Sequence, residues 1–214
     1  SQGQELLGGD IRFQLIHREA DERERAFLDS LGDVAVSAGM RSMVRLPDGS
    51  DQTLVEVKAT DGAYPLYGAF VAEPALPRDE LFGRRDGAWG AAVADLRVAR
   101  LGVKLGDRVV LGGETFELRA TVVTEPDAVG EGFGFAPRMM VSMEALRASG
   151  LVQQGSLVEN AYKIRLSDPS PARLQEIRTQ AAEEFPEAGW SIRDRTSAAP
   201  SLSANVLRFS LFLT

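Results

Sequence analysis

The chain has 214 residues, 44% of them hydrophobic and 26% charged, enough for one large domain or two small ones around a sizeable core. Its net charge of −7, from 31 acidic and 24 basic residues, excludes the basic footprint that nucleic-acid binding requires. The absence of cysteine excludes disulfides, Cys-ligated zinc and a thiol nucleophile, and leaves the compartment open.

Ser1 to Gln4 reads as a short polar leader of a piece taken from a longer chain. Ile11, Phe13 and Leu15 then alternate with Arg12 and Gln14, the period of a half-buried strand. Asp21 and Glu24 have capping-box spacing and open a helix whose apolar face is Phe27, Leu28 and Leu31, with Gly32 at its end. Strands follow from about Val34 to Leu46 and from Leu54 to Ala59, joined by the turn Pro47-Asp48-Gly49-Ser50. Asp48 and Asp51 sit at a hairpin tip, where paired carboxylates are ordinarily a solvated turn rather than a calcium site. Tyr64 to Gly90 is punctuated by Pro65, Pro74, Pro77, Gly83, Gly87 and Gly90 and shows no regular period.

Ala91 to Ala94 reads as a short strand, and Asp95 as the cap of a short helix over Leu96 to Leu101. Val109 to Leu111 and Thr115 to Val123 flank Gly112-Gly113, a two-residue hairpin loop. Arg138 to Val141 is strand-like, and Ser142 caps a helix over Met143 to Ser149 that stops at Gly150. Ala161 to Leu166 is a strand. Ser170 and Pro171 are N-cap and first residue of a helix carrying Leu174, Ile177, Ala181 and Phe185 on one face. Trp190 to Ile192 closes the series as a short strand.

The tail admits two readings. Leu202, Val206, Phe209 and Leu213 have helical spacing, as in a final amphipathic helix. The run also grows more apolar up to Thr214, as the first turns of a membrane helix would. No uninterrupted apolar run approaches the roughly 20 residues of a complete span.

Catalytic and cofactor motifs do not assemble. His17 is the sole histidine and stands at a strand end, so neither a triad nor a histidine-based metal set forms around it. Gly130, Gly132 and Gly134 lack the spacing of a dinucleotide fingerprint, and there is no P-loop. The carboxylate pairs Asp79-Glu80 and Glu183-Glu184 read as solvated surface. No catalytic, cofactor or metal residue is therefore assigned. Phe133 and Phe135, on a glycine-flanked loop, are the candidates for contact with a partner or apolar ligand. Their ordinary alternative is packing onto the barrel of the central insert.

Several strings carry a resemblance: Val57-Lys58-Ala59-Thr60-Asp61, Tyr64-Pro65-Leu66-Tyr67-Gly68, Leu101-Gly102-Val103-Lys104-Leu105-Gly106-Asp107, Glu125-Pro126-Asp127, Ala136-Pro137-Arg138-Met139-Met140, Val152-Gln153-Gln154-Gly155-Ser156 and Tyr162-Lys163. With the order of elements, they make the chain similar to the extracytoplasmic (periplasmic) domain of FtsX/MacB-type ABC transporter permeases, most narrowly the YbbP type. The resemblance implies an α+β fold: an α/β "porter" subdomain, βαββ…βαβ, interrupted by a small β-rich "sabre" subdomain. It divides the chain into a stem from a first membrane helix (1–9), the leading porter segment (10–66), the insert (67–157), the closing porter segment (158–196), and a stem with the start of a second membrane helix (197–214). Leu202, Val206 and Phe209 would then lie on the coupling stem, which favours the membrane-helix reading of the tail.

For function, the resemblance implies a non-catalytic domain on the periplasmic side of the bacterial inner membrane. It would couple ATP-driven helix motion (mechanotransmission) to extraction or export of hydrophobic, lipid-like molecules. The implied partners are a cytoplasmic ABC ATPase subunit and a periplasmic lysophospholipase/thioesterase, with no cofactor. A lipoprotein-releasing or MacB-like efflux permease is the alternative within the family. A stand-alone lipid-binding module or a carboxylate-based hydrolase is the alternative outside it.

Overall fold

The computed structural model describes residues 1–96, 101–128 and 136–197. The strands, in chain order, are β1 (Ile11–Ile16), β2 (Asp33–Arg45), β3 (Gln52–Thr60), β4 (Val71–Glu73), β5 (Trp89–Val93), β6 (Arg108–Leu111), β7 (Glu114–Thr124), β8 (Arg138–Ser142), β9 (Glu159–Arg165) and β10 (Ser191–Asp194). The helices are α1 (Gln2–Leu7), α2 (Glu22–Leu31), α3 (Arg78–Phe82), α4 (Met143–Ser149) and α5 (Pro171–Glu184).

All strands among the described residues join one 10-stranded sheet in the order β10-β1-β9-β2-β3-β8-β5-β7-β4, with β6 bridging β2 and β7. That bridge closes a ring. Following the ladders from β2 to β3, β8, β5, β7 and β6 leads back to β2. The ring is a small barrel, and two of its strands, β2 and β3, come from residues before the Pro/Gly-rich segment. β2 is 13 residues long. Asp33 to Gly39 pair with β9 and Val44 and Arg45 with β6, while β3 runs along its other side. One strand thus belongs to both the open α/β layer and the barrel.

The α/β layer forms because α2 and α5 are apolar on the side that meets the sheet. Phe27, Leu28 and Leu31 of α2 and Leu174, Ile177 and Ala181 of α5 are buried over Ile11, Phe13, Tyr162 and Ile164. Trp190 sits edge-on to Phe13 with ring centroids 4.9 Å apart, and Phe185 packs 5.1 Å from Phe27. Val44, Val55, Val57, Val109, Leu111, Phe116, Leu118 and Met139 continue the same core into the barrel.

The capping signals operate as expected. Asp21 and Glu24 make a reciprocal capping box on α2, Ser142 caps α4, and Ser170 with Pro171 opens α5. Three short elements depart from the sequence reading. Ser1 to Gln4 is not a bare leader: Ser1 and Gln4 form a second capping box that starts α1. The Tyr64 to Gly90 stretch carries β4 and α3, which are too short to show a period; Pro77 precedes α3 without a side-chain cap. The helix expected over Leu96 to Leu101 lies mostly outside the described residues.

Candidate functional site

β3 is buried on both faces from Val55 to Thr60. Val55, Val57 and Ala59 enter the core, so alternation sends Glu56, Lys58 and Thr60 to the opposite side. That side is closed over by other elements rather than by water. Glu56 accepts from Arg41 Nε at 2.6 Å, and Thr60 is held by Arg78. Lys58, 1% exposed, reaches the turn that follows β7.

In that turn, Lys58 Nζ donates to Glu125 Oε1 at 2.7 Å and to Asp127 Oδ1 at 2.8 Å. Lys163 arrives from β9, on the face opposite Tyr162 and Ile164, and donates to Asp127 Oδ2. Arg138, first residue of β8, donates to Glu125 Oε2. The Tyr64 hydroxyl donates to Asp127 Oδ1 at 2.7 Å, and its ring lies 5.0 Å from Lys58 Nζ and 5.7 Å from Lys163 Nζ. Burial alone would raise the Asp127 carboxyl, but the ammonium groups of Lys163 and Lys58 outweigh it and hold it well below the usual range.

A second node adjoins the first. Asp10 Oδ1 accepts from Gln4 Nε2 at 2.7 Å, while Oδ2 accepts from the Tyr67 hydroxyl and Leu166 N, each at 2.8 Å. Burial, and then the bond to Asp10, push the Tyr67 hydroxyl up to about 12. Helix α1 lies over both nodes. Its C-cap Gly8 has φ 80°, and a Cβ there would come within 2.7 Å of Lys163 Cδ. Only glycine lets the helix settle this closely on the lysine.

The network therefore joins α1, β3, β8, β9, the 64–67 segment and the 125–127 turn. Asp10, Lys58, Asp127 and Lys163 are each 1% exposed, and Glu125 is partly buried; the arrangement is a clamp between elements. Breaking one partner of such a buried pair is costly, which fixes the register of the elements it joins.

The contact and stem residues expected from the sequence, Phe133, Phe135, Leu202, Val206 and Phe209, fall outside the described residues. His17 is exposed, with Nδ1 2.9 Å from Ser156 O. Asp79, Glu80, Glu183 and Glu184 are exposed. Among the described residues no group of three or more metal-ligating side chains forms. The clamp residues were nevertheless present in the sequence, because the strings Val57–Asp61, Tyr64–Gly68, Glu125–Asp127, Ala136–Met140 and Tyr162-Lys163 each supply at least one of them.

The periplasmic region of MacB from Actinobacillus actinomycetemcomitans superimposes with a TM-score of 0.59 over 94% of this chain and 95% of that one, at 8% identity. The extracellular domain of the noncanonic ABC-type transporter YknZ from Gram-positive bacteria gives 0.54 over 86% and 100%, at 13% identity. These likenesses establish the fold. No family model matches the chain.

Sequence likeness is more specific. The uncharacterized ABC transporter permease YbbP of Escherichia coli (strain K12) is 29% identical over 164 residues, which cover 76% of this chain and 19% of the permease. The chain thus spans about a fifth of that relative's length. Fold and sequence together bear out the resemblance to the periplasmic domain of an FtsX/MacB-type ABC transporter permease.

Proposed function

We propose that this chain is the extracytoplasmic portion of a YbbP-type permease at the bacterial inner membrane, and that it acts by transmitting motion. The observation that carries this reading is the placement of the segments flanking the fold. Helix α1 and the residues after β10 lie side by side: a Cβ on Gly3 would stand 3.7 Å from that of Arg195. Both segments are tied to the body, α1 through Gln4 and Asp10, and the other through Arg178, which donates to Asp194 Oδ2 at 2.9 Å and Ser197 Oγ at 2.9 Å. A domain held between two neighbouring membrane helices needs this geometry.

In this proposal residues 1–9 and 197–214 are the stems, with Leu202, Val206 and Phe209 on the second. Residues 10–66 and 158–196 form the porter subdomain, and 67–157 supply most of the sabre barrel. A separate cytoplasmic ATPase moves the membrane helices. The buried clamp makes the domain follow the stems as one body, and the motion serves extraction or export of lipid-like molecules toward a periplasmic lysophospholipase/thioesterase. Phe133 and Phe135 are candidate contacts for that partner or cargo.

Two changes in the intact transporter test the reading. A flexible Gly/Ser segment inserted after Ser197 slackens the stem and should abolish cargo release while ATP hydrolysis continues. A disulfide from Gly3→Cys with Arg195→Cys has suitable Cβ spacing and should be tolerated, because it locks what already moves together. Full transport with the slack stem, or transport lost on oxidation and regained on reduction, would overturn the proposal.

A further inference from the structure

Between β3, β4 and α3 lies a cleft of about 390 Å³, within the size range of small-molecule sites. Its walls are mostly apolar, with Tyr64, Phe70, Leu76, Leu81, Phe82 and Met140 prominent. Arg78 is the one charged residue among the described lining. Its guanidinium lies 5.0 Å from the Phe82 ring and donates to Thr60 O at 2.7 Å and Thr60 Oγ1 at 3.2 Å. Those bonds occupy two of the five N–H donors a guanidinium carries.

No described carboxylate forms an ion pair with Arg78; Asp61, Glu144 and Asp79 act on it only through space. Burial against the apolar wall pushes its pKa down, which is the sign of a cation short of solvation. An arginine in that position favours a planar anion that accepts two parallel hydrogen bonds. The volume suits one alkyl chain and is too small for the two chains of a phospholipid.

We infer that this cleft binds a medium-chain fatty acid, its carboxylate on Arg78 and its alkyl chain along Phe70, Leu76 and Phe82. The site stands on the cleft's own geometry and relies on the transporter reading only for where the amphiphile comes from. Tyr64 connects it to the clamp: its ring lines the cleft, and its hydroxyl holds Asp127. An occupant of the cleft therefore packs on a residue of the buried network.

Isothermal titration of the 214-residue chain with laurate, kept below its micelle concentration, tests the assignment. Laurate should bind saturably at one site. Arg78→Gln should weaken it by roughly tenfold or more, the scale of a charge-assisted pair. Ala75→Trp places bulk at the cleft wall from an exposed position and should abolish binding while circular dichroism stays unchanged. Absence of saturable binding, lauryl alcohol binding as well as laurate, or full affinity in Ala75→Trp would overturn the inference. Tighter binding of lauroyl lysophosphatidate would overturn the carboxylate assignment. The stem experiment reads transport and this one reads binding, so the two proposals fail separately.

Discussion

Asp127 shows how charge is used at the scale of single residues. Two ammonium groups and a phenol converge on one carboxylate that is 1% exposed. Glu24 is held down chiefly by its bond from Arg18, against burial, with help from the backbone at Asp21. Asp194 is pushed up by burial but lowered further by Thr196 and Arg178. In each case the folded value lies below the unfolded one. Such groups add stability that is present above the unfolded carboxylate range and is lost as pH falls through the folded value. Urea midpoints measured from neutral pH downward should hold to about pH 4.5 and then decline steadily toward about pH 3. A flat profile over that acid range would contradict these assignments. The clamp was hidden from sequence reading because Glu56, Lys58 and Thr60 alternate with apolar residues, the pattern of a strand with one wet face. Here the second face is covered by chain that is remote in sequence.

At the scale of elements, the least predictable piece is also tightly fitted. Gly90 on β5 faces α3 so closely that a Cβ would lie 1.8 Å from Leu81 O and 2.6 Å from Arg119 Nη1. Arg119 in turn donates to the carbonyls of Glu80, Gly83 and Ala88. Gly90→Ala should therefore force the helix off the strand and cost about 1–3 kcal/mol, read as a lower denaturation midpoint. Elements with local signals were legible: the capping box of α2, the Gly112-Gly113 hairpin and the Ser170-Pro171 start of α5 all stand where the local residue pattern places them. α1 carries a capping box too, but it buries none of its residues fully, so no apolar face announced it. α3 and β4 owe their form to contacts with Arg119 and β7 rather than to any period of their own.

At the scale of the molecule, the shared strand β2 makes the barrel and the α/β layer one cooperative unit. The two tryptophans report on opposite regions, Trp89 on β5 and Trp190 just before β10. Single-tryptophan variants Trp89→Phe and Trp190→Phe should give coincident urea transitions; separated midpoints would show two independent units. That barrel and layer share a core was not visible in the sequence, since the ladder from β2 to β6 joins Val44 to Leu111 across the Pro/Gly-rich stretch. The sheet order has a further consequence for the newborn chain. β9, near the end of the sequence, is the strand that fills the gap between β1 and β2. During synthesis from the N-terminus, the β2–β3 hairpin can form early, but β1 and one side of β2 keep open hydrogen-bonding edges until residues 159–165 emerge. Long-range closure of this kind is slow, and open edges invite wrong pairing in the meantime. The early chain is therefore the stage at which a holding chaperone would matter most.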